Sequence, residues 1–454
     1  MQSGQRTYGR WYILGLICLM YLITYLDRVI MNNTAPEVQK EFGIDNATKG
    51  IILGAFFWGY ALFQVPGGWL SERFGPRAAL AGLVTFWSLV TVAAGFADSG
   101  LSFAVLLFFL GAGEAGAFPG ATRAMQMWYP RRERGFVQGF THSASRFGAF
   151  IAPSIIVLII SGQMAIGSMS ISISPLGWRW VWYLCGSLGI LWSVWWYLSY
   201  RNQPEEHRLV GSAELEYIRG LDPQGRINQA ALAKDRPKVP WSTLLPSPNM
   251  WAIMFAYVTY VYSLTIFLTW LVSYLVDGRH FSPNEARLVS SWPLLAMVFG
   301  NIVGGLATDW LLHKTGNTRF ARRSVAVVGL LACALFVVLA ALAEDGYTTV
   351  YCLTGAGFFL ECTIGPSWSV PMDTAGKYSG TVSAMMNMAG QLFGATLSPV
   401  VFGYFAQQGN WQGPWIVAAV LLVLGAAIWT FWLDPERSVV EKREELVAVP
   451  AAAE

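Results

Sequence analysis

The chain contains twelve apolar runs, each long enough to cross a lipid bilayer as a helix. A helix rises about 1.5 Å per residue and needs about 20 apolar residues to span the hydrocarbon core. Twelve runs of this length predict an all-α integral membrane protein with twelve transmembrane helices. They lie near residues 11–31, 49–70, 79–98, 101–125, 135–160, 178–199, 250–275, 286–308, 324–343, 347–371, 379–405 and 414–433.

The composition agrees with a membrane protein. Hydrophobic residues make up 54% of the chain and charged residues 13%, whereas a soluble domain has about 25% charged residues. The polar start "MQSGQRTYGR" leads directly into a run that is too long for the apolar part of a signal peptide. We therefore expect the first helix to be retained.

Enzymatic chemistry is not indicated by any motif. The five cysteines fall inside apolar runs without CxxC or metal-ligand spacing, and the four histidines form no HExxH. No GxxxxGK[ST] phosphate-binding loop is present, so ATP is not expected to drive the protein. An intramembrane enzyme, or a sensor that binds a ligand without moving it, remains the alternative from another class.

The loop charges predict the orientation. The loops "SERFGPR", "YPRRERG" and "HKTGNTRFARR" are basic, while "SGQMAIGSMSISISPLG" and "AQQGNWQG" carry no lysine or arginine. The positive-inside rule places the basic loops and both termini in the cytoplasm of a cell that holds the protein in its inner or plasma membrane. The net charge of +3 is then a topology signal, and no nucleic-acid partner is expected.

A long polar segment divides the chain into two halves of six runs each. It is rich in charge and proline and separates the sixth run from the seventh. We predict a first six-helix bundle over residues 1–199, a middle loop over 200–247, a second bundle over 248–433 and a tail over 434–454.

A short repeat supports this division. "GGWLSERFGPR" follows the second run and "GGLATDWLLHKTGNTRFARR" follows the eighth. Each places two glycines, then an acid (Glu72 or Asp309), then basic residues at one end of a helix. The glycines permit close helix packing, and the acid can meet a helix N-terminus or a basic partner, so the repeat predicts a latch between the halves.

These features resemble the major facilitator superfamily. Its loop signature between the second and third helices matches here, with glutamate in place of the family's usual aspartate: Gly68, Glu72, Arg73, Gly75 and Arg77. The resemblance implies that these residues and Asp309 form a conformational latch. It also implies two bundles that rock about a central site to give alternating access.

Four further stretches narrow the resemblance to the anion:cation symporter branch. They are "YLDRVIMNNTAPEVQKEFGI", "AFFWGYALFQVPGGWL", "GAGEAGAFPGATRAMQMWYPRRERG" and "DTAGKYSGTVSAMMNMAGQLFGATLSPVVFGY". The branch includes bacterial galactonate, glucarate and hexuronate proton symporters and animal relatives such as sialin and the vesicular glutamate transporters. The resemblance implies proton-coupled transport of an organic anion.

Asp27 and Arg28 place an acid and a base together in the first run. Charges inside a bilayer cost roughly 2.5–3.5 kcal/mol each on the mildest scale, so they are found where they line a cavity or meet a partner. Adjacent residues project about 100° apart on a helix, so one can face the cavity and the other a neighbouring helix. The resemblance implies proton coupling for Asp27 and anion binding for Arg28. An ion pair at the outer end of the helix, open to water, is the alternative.

Glu114 lies in the glycine-rich stretch "GAGEAGAFPG" of the fourth run. Close backbone approach at these glycines would bury its carboxyl group. The resemblance makes Glu114 the second proton-coupling site. Many relatives carry an arginine two turns earlier, where this chain has Leu107, so their coupling scheme cannot be carried over unchanged.

Arg146 lies well inside the fifth run. A guanidinium group can hold a carboxylate through two parallel hydrogen bonds, and we predict that Arg146 is the main carboxylate anchor. His142 lies one turn earlier on the same face and is expected to be a packed residue or a polar neighbour.

Four further residues are predicted to contact substrate because they match contact positions of the resembled symporters. The first half supplies Tyr25 and Tyr60, and the second half supplies Trp368 and Asn387. Aromatic residues also pack or lie at membrane interfaces. Glu361 is another intramembrane carboxylate, to which the resemblance assigns no role.

The sequence thus predicts a transporter that moves an organic anion, a sugar acid by our expectation, together with protons. We expect no cofactor apart from the coupling proton, and a monomer whose partners are the lipid bilayer and a small carboxylate. An aromatic carboxylic acid as cargo, or exchange of two anions, remains open because the same residues would serve.

Overall fold

The structure is a computed structural model, and it describes residues 8–44, 46–166, 169–219, 239–282, 285–286 and 289–440. Residues 220–238 of the predicted middle loop and most of the predicted tail lie outside the described residues.

The first half contributes six spans. Span 1 is helix Gly9–Asn33, followed by a short helix, Ala35–Phe42. Spans 2 and 3 belong to one helix, Asn46–Ala94, which kinks at Gly75, and span 4 consists of Gly100–Glu114 and Ala117–Trp128. Span 5 is Arg134–Ser161 and span 6 is Trp178–Ser199. A 3-10 turn, Arg131–Glu133, precedes span 5, and antiparallel strands Gln163–Ile166 and Met169–Ser172 follow it, with Gln163 opposite Ser172.

The second half repeats this arrangement. The described residues give span 7 as Pro248–Thr269 with Leu271–Ser273 and a π turn Tyr274–Gly278, span 8 as Ser291–Thr315 and span 9 as Thr318–Leu342. Span 10 consists of Gly346–Cys362 and Ile364–Thr374; span 11 of Ser379–Ala389, a π segment Gly390–Ala395 and Leu397–Gln407; span 12 of Gly413–Ala427 and Ile428–Trp432. Shorter elements are helices Ser212–Arg219 and Trp241–Leu244 and 3-10 turns Pro204–Glu206 and Gly376–Tyr378.

The predicted all-α membrane fold is confirmed. Eight helical stretches of the described chain are long and apolar enough to cross a membrane, and one of them, Ile51–Ala94, contains two spans. Spans 5, 10 and 11 are not among these stretches. Spans 10 and 11 are divided into shorter helices, and all three spans carry buried polar side chains, namely Arg146, Glu361 and Asn387. Large apolar side chains such as Leu101 and Phe431 are exposed on the outer surface, where they would face lipid.

Two predicted boundaries differ from the structure. Span 8 runs to Thr315 and span 9 begins at Thr318, so the predicted loop after residue 308 is mostly helix. Asn317 caps the start of span 9 by accepting a hydrogen bond from the Phe320 N–H. Charged residues suggested a loop there, but this cap lets helix continue on both sides of a two-residue turn.

Candidate functional site

Spans 4 and 10 both break near the middle of the protein, and each break carries a buried glutamate. A proline lies five residues after each of them, Pro119 after Glu114 and Pro366 after Glu361. Proline has no N–H for the helical bond to the carbonyl four residues back, so it interrupts the helix one turn before itself. Both glutamates are fully buried at the end of the helix that precedes the break.

Glu114 is paired with Arg28 of span 1. The Arg28 Nε donates to Glu114 Oε2 at 2.9 Å. Within the described chain, Glu114 Oε1 and Arg28 Nη2 are buried without a hydrogen-bond partner. The pair therefore uses one carboxylate oxygen and leaves donor capacity on Arg28 for another anion.

Aromatic rings enclose the Arg28 guanidinium group. Its carbon lies 4.4 Å from the ring centre of Tyr60 and 5.2 Å from that of Tyr25, with Phe118 and Phe56 slightly farther away. Cation–π contacts of this kind are worth about 2 kcal/mol or more when water is excluded. Leu107, one of the residues of span 4, is itself buried.

Asp27 projects from span 1 about 100° away from Arg28, as expected of adjacent helical residues, and interacts electrostatically with Glu114 and Arg28. It is fully buried beside Trp87 of span 3, and neither carboxylate oxygen has a hydrogen-bond partner among the described residues. An ionised carboxylate without a partner is costly in a dry interior. The surroundings of Asp27 therefore favour its protonated form.

Arg146 is paired with Glu361 across the two halves. Its Nε and Nη2 donate to Glu361 Oε1 at 3.1 and 3.0 Å. Tyr25 accepts from Arg146 Nη1 at 2.6 Å, and Tyr260 of span 7 accepts from Nη2 at 3.2 Å. The predicted carboxylate anchor is therefore present, but here an internal carboxylate occupies it.

Tyr25 lies between the two arginines. The carbons of the Arg28 and Arg146 guanidinium groups lie 5.2 and 5.3 Å from the centre of its ring. Their separation cannot exceed the sum of these two distances, which is the length scale of a small molecule. The two arginine–glutamate pairs and Tyr25 form what is here called the central cluster: Tyr25, Arg28, Glu114, Arg146 and Glu361.

The other predicted contact residues border this cluster. Asn387 donates to the Tyr60 hydroxyl and to Gln64 Oε1, both at 3.2 Å and both across the halves. Trp368 donates to the Tyr257 hydroxyl at 3.1 Å. His142 is packed between rings, with centres 5.1 Å from Trp368 and 5.2 Å from Tyr21. The structure thus brings the predicted proton-coupling and substrate residues into one region, in which Asp27 interacts with Glu114 and Arg28 electrostatically and without a hydrogen bond among the described residues.

Three residues of this region were missed by sequence reasoning. Gln64, Tyr257 and Tyr260 are buried polar groups in contact with predicted residues. The spacing "YVTY" in span 7 places both tyrosines on one helix face. That pattern is a signal, but it is also common in helices that simply pack.

The predicted latch residues lie at one end of the bundle. This end is formed by residues 71–77, 129–135, 313–323 and 373–381 and is here called the basic end. Gly68 of span 2 faces span 11, and a Cβ atom there would lie 2.7 Å from the Gly380 carbonyl oxygen. Gly305 of span 8 faces span 5 in the same way, and a Cβ atom there would lie 2.6 Å from the Gly135 carbonyl oxygen. Both glycines therefore permit contact between the halves.

The two latch acids each hold the start of a helix in the other half. Glu72 accepts from the Thr381 N–H at 2.6 Å and from its hydroxyl at 2.8 Å, at the start of span 11. Asp309 accepts from the Gly135 and Phe136 N–H groups at 3.0 and 2.6 Å, at the start of span 5. A carboxylate at a helix start satisfies unpaired N–H groups and the helix dipole.

The remaining members of the predicted latch contact their own half. Gly75 adopts φ +79° at the kink between spans 2 and 3. Arg77 donates to the Tyr197 carbonyl at 2.9 Å, and Arg73 lies over the ring of Trp69.

A third tie at the basic end centres on Asp373, at the end of span 10. Its carboxylate accepts from Arg134 at 2.8 Å, from Arg322 at 3.2 Å and from Arg131 at 3.3 Å. Three guanidinium groups thus face one buried carboxylate, and Arg131 and Arg134 reach it from the first half. Together with the contacts of Glu72 and Asp309, these ion pairs close the basic end in this structure.

We expect Asp309→Asn to weaken this closure. The substitution removes the carboxylate charge that pairs with Arg322, whose Nη1 lies 2.8 Å from Asp309 Oδ1. It leaves a neutral side-chain amide facing the start of span 5. The population open at the basic end should rise several-fold, since a helix-start charge is worth about 0.3–1 kcal/mol and more when partly buried. Distances between spin labels at residues 73 and 377, in a cysteine-free background, should lengthen.

Asp98→Asn is the control for this measurement. Asp98 is exposed at the opposite end and bonds Ser99 and Ser102. Unchanged label distances in Asp309→Asn would contradict the latch role of Asp309.

Comparison with known proteins agrees with this architecture. The family model described as Major Facilitator Superfamily matches residues 17–396. The chain is 38% identical over 423 residues to a probable sulfoacetate transporter of Cupriavidus necator, with 93% of each chain covered. It is 31% identical over 454 residues to a probable galactarate/D-glucarate transporter of Bacillus subtilis, with 98% of this chain and 96% of the relative covered.

Solved structures show the same fold. The proton:xylose symporter XylE matches with a TM-score of 0.74 and 15% identity, over 96% of this chain and 98% of that one. The fucose:proton symporter of Escherichia coli matches with a TM-score of 0.69 and 17% identity, over 93% and 99%. At such identities the likeness concerns the fold alone. The family match and the named relatives establish that the chain belongs to the major facilitator superfamily and is a membrane transporter, not an enzyme.

Proposed function

We propose that the protein imports a small organic anion together with protons and binds that anion between Arg28 and Arg146. The observation that carries this proposal is the central cluster, in which the partly buried Arg28 and the buried Arg146 lie on either side of Tyr25. Buried arginines are costly unless they are paired. An anionic substrate supplies the pairing that the two glutamates provide in this structure.

Proton coupling follows from the glutamates. A substrate anion that binds Arg28 competes with Glu114 for the same cation. If Glu114 takes up a proton, its charge is removed and Arg28 is released for the anion. The loaded centre then carries no unpaired glutamate charge, so the halves can reorient around it. Asp27 offers a second protonation position, since its surroundings favour the neutral carboxyl group.

Two cations within the length of a small molecule favour a substrate with two acidic groups. The relatives named for galactarate/D-glucarate and for sulfoacetate agree with this choice. Both diacid sugars carry two carboxylates, and sulfoacetate carries one carboxylate and one sulfonate. We propose a sugar diacid as substrate, with sulfoacetate as the second candidate.

The loop charges support import as the direction of transport. The basic end should face the cytoplasm by the positive-inside rule. A closed basic end then corresponds to a carrier that receives substrate from outside, and opening of the basic end releases substrate into the cell.

The test is uptake of labelled acids into proteoliposomes with and without an inward pH gradient. The panel contains D-glucarate, galactarate, D-galactonate, sulfoacetate and phthalate. We expect gradient-stimulated uptake of one of the two-charge aliphatic acids. One pH unit is worth about 1.4 kcal/mol per coupled proton, which corresponds to a tenfold change in an equilibrium constant. Each coupled proton should therefore raise the ratio of inside to outside substrate concentration by about tenfold per pH unit.

Three results would contradict parts of the proposal. Uptake that ignores the gradient would remove the proton roles of Glu114 and Asp27 and indicate anion exchange. Preferential uptake of phthalate would move the cargo to aromatic acids. If liposomes that contain folded protein take up none of the acids, transport of an organic anion would be excluded.

A further inference from the structure

Glu361 occupies the position in the second half that Glu114 occupies in the first. Each glutamate lies in the last turn of the first helix of a broken span, and each lies five residues before a proline. Each pairs with an arginine through one carboxylate oxygen. The two pairs differ in one respect, since Arg28 and Glu114 belong to the same half and Arg146 and Glu361 do not.

The bonding of Glu361 is concentrated on one oxygen. Oε1 accepts from Arg146 Nε, from Arg146 Nη2 and from the Tyr260 hydroxyl, at 3.1, 3.0 and 3.0 Å. Oε2 is buried and has no hydrogen-bond partner in the described part of the chain. A bidentate pair would engage both oxygens and would be harder to separate.

The other groups around Glu361 are neutral. The hydroxyl groups of Tyr25 and Tyr260 accept hydrogen bonds from Arg146, which also donates to Glu361. The thiols of Cys333 and Cys362 lie near the Glu361 carboxylate. Span 8 presents the side chain of Met297 to Gly357, one turn before Glu361. Among the described residues, Arg146 is therefore the cation that balances Glu361.

These contacts limit what can happen when a substrate binds Arg146. The substrate's acidic group and Glu361 would compete for the same N–H donors. Once displaced, a Glu361 carboxylate would keep the Tyr260 hydroxyl and lose its cation in a site closed to water. An ionised carboxylate in that position is strongly disfavoured.

We propose that Glu361 is an internal substitute for the acidic group of the substrate, which neutralises Arg146 in the empty carrier and takes up a proton when the anion displaces it. The hydrogen bonds from Arg146 to Glu361 Oε1 break and re-form to the substrate. An O–H bond forms on Glu361 with a proton from the entry side. This inference rests on the proposed function and adds a third protonation position to it.

The proposal makes the empty carrier neutral at its centre. With both glutamates ionised, each arginine is balanced, so the halves can return without substrate. Without the Glu361 charge, the empty centre carries one uncompensated cation, which opposes the return step. The substrate still balances that cation in the loaded carrier, so exchange of one anion for another should continue.

The experiment compares net uptake with exchange for wild type, Glu361→Gln and Glu344→Gln in proteoliposomes. Labelled D-glucarate and labelled sulfoacetate are the probes, and Glu344 is an exposed glutamate that serves as the control. In Glu361→Gln, the rate of gradient-driven net uptake should fall by about tenfold or more relative to wild type. The rate of exchange should stay within about twofold of wild type. Its affinity for the probe should rise by about tenfold, because a competing charged hydrogen bond is removed.

A second measurement tests the proton step directly. In detergent, binding of the probe to Asp27→Asn/Glu114→Gln should still draw about one proton from a weakly buffered solution. Adding Glu361→Gln to this variant should abolish that proton uptake. A pH-sensitive dye reports the change, and this measurement stands even if net transport by the variants is slow.

The outcomes separate this inference from the proposed function. If wild type moves neither probe, the proposed function fails for these substrates. If wild type transports and Glu361→Gln shows the same net uptake, the role of Glu361 is refuted. Loss of both exchange and net uptake in a folded variant, or an Asp27→Asn/Glu114→Gln variant that binds the probe without a proton, would also refute it.

Discussion

Replacing Arg28 with glutamine is expected to lower substrate uptake by at least about thirtyfold. The Arg28 Nη2 donor is buried without a partner in the described structure, and four aromatic rings hold the guanidinium group in place. Removal of one partner from a buried charged pair costs about 2–5 kcal/mol. Glutamine cannot replace the charge, so the loss should appear in both binding and uptake.

The control for this prediction is Arg208→Gln. Arg208 is exposed, and the same chemical change there should leave uptake at the wild-type level. Size-exclusion profiles in detergent establish that both variants fold. Uptake by Arg28→Gln within a factor of two of wild type would show that the anion does not bind at Arg28.

Replacing Gly68 with leucine is expected to reduce uptake by about tenfold or more. A Cβ atom at Gly68 would already lie 2.7 Å from the Gly380 carbonyl oxygen and 2.9 Å from the Ala384 Cβ, both in the second half. Overpacking of this kind costs about 1–3 kcal/mol. The cost falls on the state that is closed at the basic end, so the carrier should accumulate in the state that is open there.

Gly54→Leu is the matched control, because Gly54 lies in the same helix and an added Cβ would have open space around it. The spin-label distances at the basic end should lengthen in Gly68→Leu and remain unchanged in Gly54→Leu. Full uptake by a folded Gly68→Leu variant would mean that spans 2 and 11 need not meet during transport.

Much of the architecture could be predicted from the sequence because lipid imposes strict local requirements. The twelve spans follow from run length, and the breaks and latch follow from residues that act on their own helix or its end. Glu72 and Asp309 lie at equivalent places because the chain repeats "GG" followed four or five residues later by an acid. Such signals are contained in a few neighbouring residues.

The pairing of the central charges could not be predicted in this way. Arg146 and Glu361 are 215 residues apart in sequence, and their contact depends on how two halves pack. The sequence predicts Arg146 as the main carboxylate anchor for a substrate and assigns no role to Glu361. The shared spacing of glutamate and proline in "EAGAFP" and "ECTIGP" is a signal that could have indicated the equivalence of Glu114 and Glu361.

The helix starts held by Glu72 and Asp309 have a consequence for product release. When the basic end opens, the N–H groups of Thr381, Gly135 and Phe136 lose these carboxylates. Two helix starts with partial positive charge then border the exit. In the proposed import cycle, the departing anion would pass along this surface of positive electrostatic potential, which would lower its barrier to leaving the two arginines, and higher salt should slow that escape by screening.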